Sequence, residues 1–103
     1  MSKMFNVFVG LNDKDSKVQE IKTDKAMEII KSLCWEMFEG ATVSIAFGLY
    51  KHDNGDKVTE NTIKIELMTD DTDKIRTLVN ELKRIFNQES IMVTIINPDV
   101  YFW

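Results

Sequence analysis

The stretch Ile91-Met92-Val93-Thr94-Ile95-Ile96 decides the fold, because only here is the chain apolar at nearly every consecutive position. A half-buried strand alternates apolar and polar residues, whereas an unbroken apolar run is buried on both faces or belongs to a helix. This run is short and rich in β-branched residues, and it lies between the polar segment 87–90 and the breaker Asn97-Pro98. It is therefore predicted to be a β-strand, the last regular element of the chain.

The elements before this strand show strand and helix periodicity in turn. Alternating apolar residues predict strands over 4–11, 42–50 and 58–68, and Asn54-Gly55 between the last two is a strong hairpin signal. Helical spacing predicts one helix between a Thr23 N-cap and a Gly40 C′ residue. It predicts a second helix that starts at the acidic run 70–73 and continues to Phe86.

The order β-α-β-β-α-β predicts a ferredoxin-like α+β fold, a four-stranded antiparallel sheet with two helices on one face. In this arrangement the strand 91–96 lies at an edge of the sheet. An edge strand that is apolar on both faces needs cover, either from its own tail or from a second copy of the chain.

The composition indicates one domain over residues 1–103, ending in an aromatic tail over 97–103. A chain of 103 residues with 44% hydrophobic residues can bury a real core. The net charge of −4 argues against a duplex nucleic-acid partner. There is no secretory signal, no apolar run long enough to span a membrane, and only one cysteine, Cys34. We therefore expect a cytoplasmic protein without a membrane partner.

Three short islands show a family resemblance: Phe8-Val9-Gly10-Leu11, Glu39-Gly40-Ala41-Thr42-Val43 and Phe86-Asn87-Gln88-Glu89-Ser90-Ile91. Their order and spacing resemble a small bacterial domain-of-unknown-function family. That family has an F-G-L first strand and an F-x-Q-E-S-[VI] final segment. The islands cover about a fifth of the chain, and the first departs from the pattern by its Phe-Val-Gly-Leu. The resemblance supports the fold and implies no activity.

The sequence contains no recognisable catalytic set. His52, beside Asp53 in the predicted hairpin loop, could move a proton, but no nucleophile stands near it. Cys34 falls on the apolar stripe of the first helix, which is typical of a small buried hydrophobe. No zinc set, calcium loop or phosphate-binding loop is present, so neither a metal nor a cofactor is predicted. Four scattered acids, Glu39, Glu60, Glu66 and Glu89, could converge in three dimensions.

The outer face of the predicted sheet is the more informative feature. If the helices cover the Val/Ile/Phe/Leu sides of the strands, the other face mixes aromatic, small and charged residues. This face could be an interface between copies, a ligand groove or an ordinary solvated surface, and the first is favoured. The predicted binding residues on this face and in the tail are Asn6, Phe8, Tyr50, Lys64, Met92, Tyr101 and Trp103.

These observations predict a small non-enzymatic binding protein that acts stoichiometrically as a homo-oligomer, most simply a dimer. It would bind a protein partner or sequester a small ligand, and a phage-type inhibitor of a host system is one such protein. The alternative is a small dimeric ferredoxin-like enzyme, with acids, His52 and Tyr50 at the rim of a pocket.

Overall fold

A computed structural model describes residues 2–103. The elements follow the order β-α-β-β-α-β: β1 (Lys3–Gly10), α1 (Thr23–Met37), β2 (Thr42–Lys51), β3 (Lys57–Thr69), α2 (Thr72–Phe86) and β4 (Met92–Ile96). The four strands form one antiparallel sheet in the order β2-β3-β1-β4. The predicted ferredoxin-like α+β fold is confirmed.

The core lies between the helices and one face of the two central strands. Successive side chains of a strand point to opposite faces, so alternate residues of β1 and β3 reach the helices. These strand residues are at most 1% exposed: Phe5, Val7, Val9, Ile63, Ile65 and Leu67. Ile30 of α1 and Leu78 and Leu82 of α2 meet them, each fully buried. The opposite face of β1 and β3 is left without a helix.

The two helices begin and end by different means. Asp71 caps α2, because its carboxylate accepts the backbone N–H of Lys74 at 3.0 Å, so the predicted acidic start is confirmed. The predicted Thr23 N-cap and Gly40 C′ residue of α1 are wrong. The Thr23 hydroxyl accepts a hydrogen bond from Gln19 instead, and the extended backbone of Phe38 ends the helix before Gly40.

The hairpin of β2 and β3 extends beyond the helices. The ladder between β1 and β3 stops at Gly10 and Thr62, whereas that between β2 and β3 continues to Lys51 and Lys57. The apolar side of β2 was expected to face the helices. Its residues are instead exposed: Ile45 by 58%, Phe47 by 74% and Leu49 by 77%. That expectation is wrong because β2 is an edge strand whose far half contacts only β3.

The strand β4 lies at the other edge, as predicted, and pairs only with β1. Ile95 and Ile96 remain about half exposed, so the aromatic tail leaves them partly uncovered. Tyr101 and Trp103 stack on each other with ring centroids 5.5 Å apart. Among residues 2–103, no helix has the length and apolar character needed to cross a membrane.

Candidate functional site

Two glycines on the open face of the sheet make room for a tyrosine and a glutamate. Gly10 ends β1 opposite Thr62, and Gly48 of β2 lies opposite Glu60. A β-carbon on Gly10 would overlap the Glu60 carboxylate. A β-carbon on Gly48 would lie 2.8 Å from the Tyr50 hydroxyl. Because neither position carries a side chain, Glu60 and Tyr50 can lie across the sheet surface.

Tyr50 and Glu60 interact electrostatically. Partial burial, followed by the negative charge of Glu60, raises the pKa of the Tyr50 phenol. The phenol therefore keeps its proton at neutral pH and lies close to the Glu60 carboxylate. The Glu60 carboxylate also accepts the backbone N–H of Asn12 at 2.8 Å, which fixes it from the side of the β1–α1 loop.

These groups line a cavity of about 390 Å³ at the end of β1. Phe8 and Met92 supply apolar surface, while Tyr50, Glu60 and Thr62 supply polar groups. The β1–α1 loop and the segment after α2 form the rim, with Lys14, Lys17, Gln88, Glu89 and Ser90. A concave site of this volume with a few convergent polar groups is typical of small-molecule binding.

The rim is held together by the residues that follow α2. Asn87 adopts the left-handed conformation, with φ 48°, and its Nδ2 donates to the carboxylates of Asp13 and Asp15 at 3.0 and 2.8 Å. Gln88 donates from Nε2 to the carbonyl of Asn12 at 2.6 Å. Hydrogen bonds from the Ser16 N–H, the Asn87 side chain and the Asp15 N–H hold the pKa of Asp13 below its ordinary value. The β1–α1 loop is thus tied to α2 at several points.

Three of the seven predicted binding residues line this cavity: Phe8, Tyr50 and Met92. The Lys64 ammonium lies 5.8 Å from the centre of the Phe8 ring and 3.2 Å from a Glu66 oxygen. Asn6 lies further along β1, and its Oδ1 is buried with no hydrogen-bond partner among the residues that the structure describes.

The other predicted residues lie elsewhere. Tyr101 borders a shallow cavity with Met68 and Ser2, at the far end of the open face, and Trp103 stacks on it. His52 follows the end of β2, and its backbone N–H donates to the Asp56 carbonyl in the hairpin turn. It does not line the cavity that contains Tyr50.

Sequence reasoning missed Glu60 as a partner of Tyr50, and it missed the role of Asn12. Glu60 stood out only as one of several scattered acids. The available signal was the hairpin register: the Asn54-Gly55 turn places residues 50 and 60 near one another on the same face. The two glycines on that face indicated open space beside them.

A second cavity, of about 450 Å³, lies between α1 and the start of β2. It contains Cys34 and the exposed ring of Trp35. Burial raises the pKa of the Cys34 thiol, so this cysteine is a poor nucleophile. The predicted structural role of Cys34 agrees with its burial, and the cavity at the end of β1 is the better candidate site.

Comparison with known proteins gives a likeness among solved structures alone. No protein-family model matches the chain, and no curated protein matches it. A phage SAM lyase in complex with S-methyl-5′-thioadenosine matches with a TM-score of 0.68 and 26% identity, over 97% of this chain and 87% of that one. The apo state of a phage SAM lyase matches equally, over 96% and 86% of the two chains.

This likeness overturns the leading functional prediction. Both neighbours are enzymes and match nearly the full length of the chain, so the prediction of a non-enzymatic binding protein is wrong. The alternative prediction, a small dimeric ferredoxin-like enzyme with acids, His52 and Tyr50 at a pocket, is better supported. Its placement of His52 at the pocket is wrong, because His52 does not line the cavity. The expected phage connection fits the neighbours. The resemblance to a domain-of-unknown-function family stays a prediction.

Proposed function

We propose that this protein is a lyase that cleaves S-adenosylmethionine (SAM) to S-methyl-5′-thioadenosine (MTA), and that the reaction takes place in the Tyr50–Glu60 cavity. The observation that carries the proposal is the likeness to a SAM lyase bound to MTA, at 26% identity over 97% of the chain. The cavity supports it because it combines apolar walls with an anion, and SAM is a cation with a large heteroaromatic ring.

The reaction breaks one carbon–sulfur bond. The electron pair of the bond between sulfur and the amino-acid side chain stays with sulfur, so the positively charged sulfonium becomes the neutral thioether of MTA. The released carbon forms a new bond to the carboxylate of the same amino acid, which closes a five-membered lactone. This route balances atoms and charge without water, oxidant or proton transfer.

A reaction of this kind depends on orientation. The protein must bend the amino-acid chain until its carboxylate oxygen lies about 3 Å from the carbon, in line with the breaking bond. The Glu60 carboxylate can hold the α-ammonium group of SAM and so direct the neighbouring carboxylate. The Asn12 N–H holds Glu60 in turn, and the protonated Tyr50 phenol lies close to it. No general acid or base is required of either residue.

The apolar walls suit the other end of the substrate. Phe8 is half-buried and lines the cavity, and Met92 lies opposite it on β4. Aromatic rings and thioethers pack favourably against heteroaromatic ligands. In this arrangement the adenine ring lies against Phe8 and Met92, and the sulfur lies between them and Glu60.

The test is product analysis of the purified full chain incubated with SAM. Mass spectrometry should detect MTA and homoserine lactone in equal amounts. Glu60→Gln keeps the shape and removes the charge, and it should lower kcat/KM by about 100-fold, the cost typical of a misplaced reacting group. His52→Ala, outside the cavity, is the matched control and should leave the rate unchanged. Absence of MTA with the wild-type chain would refute the proposal.

We also infer that the chain self-associates and works in the cytoplasm. Self-association is supported by the two unpaired edges of the sheet and by the exposed apolar residues Ile45, Phe47 and Leu49 on β2. Such a patch is typical of a protein–protein contact, and a second copy of the chain is the simplest partner. A cytoplasmic location agrees with the single cysteine and with the consumption of a cytoplasmic cosubstrate.

A further inference from the structure

The segment after α2 reaches the Glu60 carboxylate through one intermediate residue. Gln88 donates from Nε2 to the carbonyl of Asn12 at 2.6 Å, and Asn12 donates from its backbone N–H to Glu60 at 2.8 Å. Asn12 is therefore held by two hydrogen bonds. Its carbonyl accepts from the Gln88 side chain, and its backbone N–H donates to the Glu60 carboxylate. The three residues form a continuous hydrogen-bonded chain that ends at the candidate site.

We propose that Gln88 is a positioning residue, which orients the Asn12 N–H and through it fixes the Glu60 carboxylate in the cavity. The kinetic consequences of this inference rest on the proposed function. Gln88 acts on the reaction only through the Glu60 carboxylate.

Gln88 is itself rigidly placed. Its backbone N–H donates to the carbonyl of Lys83 at 3.0 Å, which closes the end of α2. Its Nε2 has a second acceptor, the carbonyl of Phe86 at 3.2 Å. Both hydrogens of the amide are thus used, and Phe86 is anchored in the core at 4% exposure. The Gln88 side chain therefore holds Asn12 in a fixed position relative to the end of α2.

Glu60 needs this support because little else restrains it. The Glu60 carboxylate lies over Gly10, which has no side chain to hold it in place. A glutamate on a strand has three rotatable side-chain bonds, so it samples several rotamers unless donors select one. The donor that bonds to it is the Asn12 N–H at 2.8 Å, with the Tyr50 phenol nearby. Supports of this type typically change the activity of the residue they hold by about 10- to 100-fold.

The adjacent residue offers a matched control. Asn87 holds the next residues of the same loop, Asp13 and Asp15, and its side chain makes no hydrogen bond to Asn12. Its φ of 48° suits glycine, so Asn87→Gly removes the side-chain contacts without straining the backbone. Gln88→Met keeps the length of the side chain and removes the donor. Comparison of the two variants distinguishes the effect of a more mobile loop from the effect of releasing Asn12 alone.

The experiment measures steady-state kinetics with SAM and, independently of activity, amide hydrogen exchange at Asn12 by NMR. Gln88→Met should lower kcat about 10-fold or more while KM for SAM changes less than about threefold, because the apolar walls are intact. The Asn12 amide should exchange about 10-fold faster in Gln88→Met than in the wild type. Asn87→Gly should change both kcat and the Asn12 exchange rate much less than Gln88→Met does.

Equal effects of the two variants would overturn the inference, since Gln88 would then only stabilise the loop. An unchanged Asn12 exchange rate in Gln88→Met would overturn it as well. If the wild-type chain makes no MTA, the proposed function fails, while the exchange comparison still decides whether Gln88 holds Asn12 against Glu60.

Discussion

The carboxylate of Glu60 occupies the space that a β-carbon on Gly10 would need. Glu60 can therefore take this position on the open face of the sheet only because residue 10 is a glycine. The contact involves the end of a flexible side chain, so an added methyl group would push the carboxylate aside and leave the backbone in place.

Gly10→Ala should therefore separate activity from stability. We expect kcat/KM for SAM cleavage to fall by about 10-fold or more, because the displaced Glu60 no longer orients the substrate. The free energy of unfolding should change by about 1 kcal/mol or less, since alanine suits a strand better than glycine does. Gly40→Ala is the control, because nothing lies within 4 Å of its β-carbon. A Gly10→Ala enzyme of full activity would contradict this role of Gly10.

The Tyr50 phenol should titrate above the ordinary tyrosine value. Burial, then the Glu60 charge, raises its pKa above 10.0. Tyr101→Phe leaves Tyr50 as the sole tyrosine, so ultraviolet absorbance can follow it alone. Glu60→Gln in this background should lower the midpoint part of the way, because burial remains. A midpoint that does not respond to Glu60→Gln would show that the two side chains do not interact.

The raised pKa of Tyr50 determines how the stability of the folded chain changes at alkaline pH. The pKa of Tyr50 is higher in the folded chain than in the unfolded chain. Its contribution to stability is therefore fully present below about pH 10 and is lost as the pH rises through the folded value. Tyr50→Phe should show a flatter decline of stability at alkaline pH in chemical denaturation, with Tyr101→Phe as the reference variant.

The stabilising contribution of Asp13 in the β1–α1 loop should be lost at acidic pH. Hydrogen bonds from Ser16, Asn87 and Asp15 lower its pKa below 3.8 in the folded chain. Its stabilising contribution is present above 3.8 and is lost as the pH falls through the folded value. An NMR titration of the carboxylate should give a higher midpoint in Asn87→Gly than in the wild type. The same midpoint in both would mean that Asn87 does not stabilise the ionised form.

Self-association should depend on β2. Light scattering of the wild-type chain should give a mass of at least twice 12.0 kDa. A double variant, Phe47→Glu with Leu49→Lys, puts charges on the exposed apolar side of β2 and should yield monomer. Trp35→Gln changes another exposed aromatic residue, on α1, and should leave the mass unchanged. A monodisperse wild-type monomer would refute the oligomer.

The role of the tail is separable from that of β2. A chain cut after Asp99 lacks the exposed rings of Tyr101, Phe102 and Trp103. If β2 carries the contact, this shortened chain should keep the mass of the wild type in light scattering. Loss of the oligomer on truncation would place the contact at the tail instead.

The fold could be predicted from sequence because each element carries its own periodic signal. The alternation in β1 and β3 and the spacing in α2 correspond directly to the buried residues Val7, Ile65 and Leu78. The exposed side of β2 could not be predicted, because Ile45 and Phe47 carry the same pattern as a covered strand. Their exposure depends on the position of β2 at an edge of the sheet, which is a tertiary property.

The candidate site was predictable in part for a similar reason. Phe8, Tyr50 and Met92 follow from strand alternation and the topology, which place them on one face. The hydrogen bond between Asn12 and Glu60 joins residues that are 48 positions apart in the sequence, and the one between Gln88 and Asn12 joins residues that are 76 positions apart. No local pattern encodes such contacts, so the acid at the site could not be told from the other acids.

Core and cavity share the strands β1 and β3, and they use alternate residues of each. In β1, Val7 and Val9 are fully buried against the helices, whereas Phe8 and Gly10 form the cavity. A scan along these strands should therefore show a period of two, in which odd positions of β1 change the melting temperature and even positions change turnover. Such a division lets residues of the open face change while the residues of the hydrophobic core stay the same.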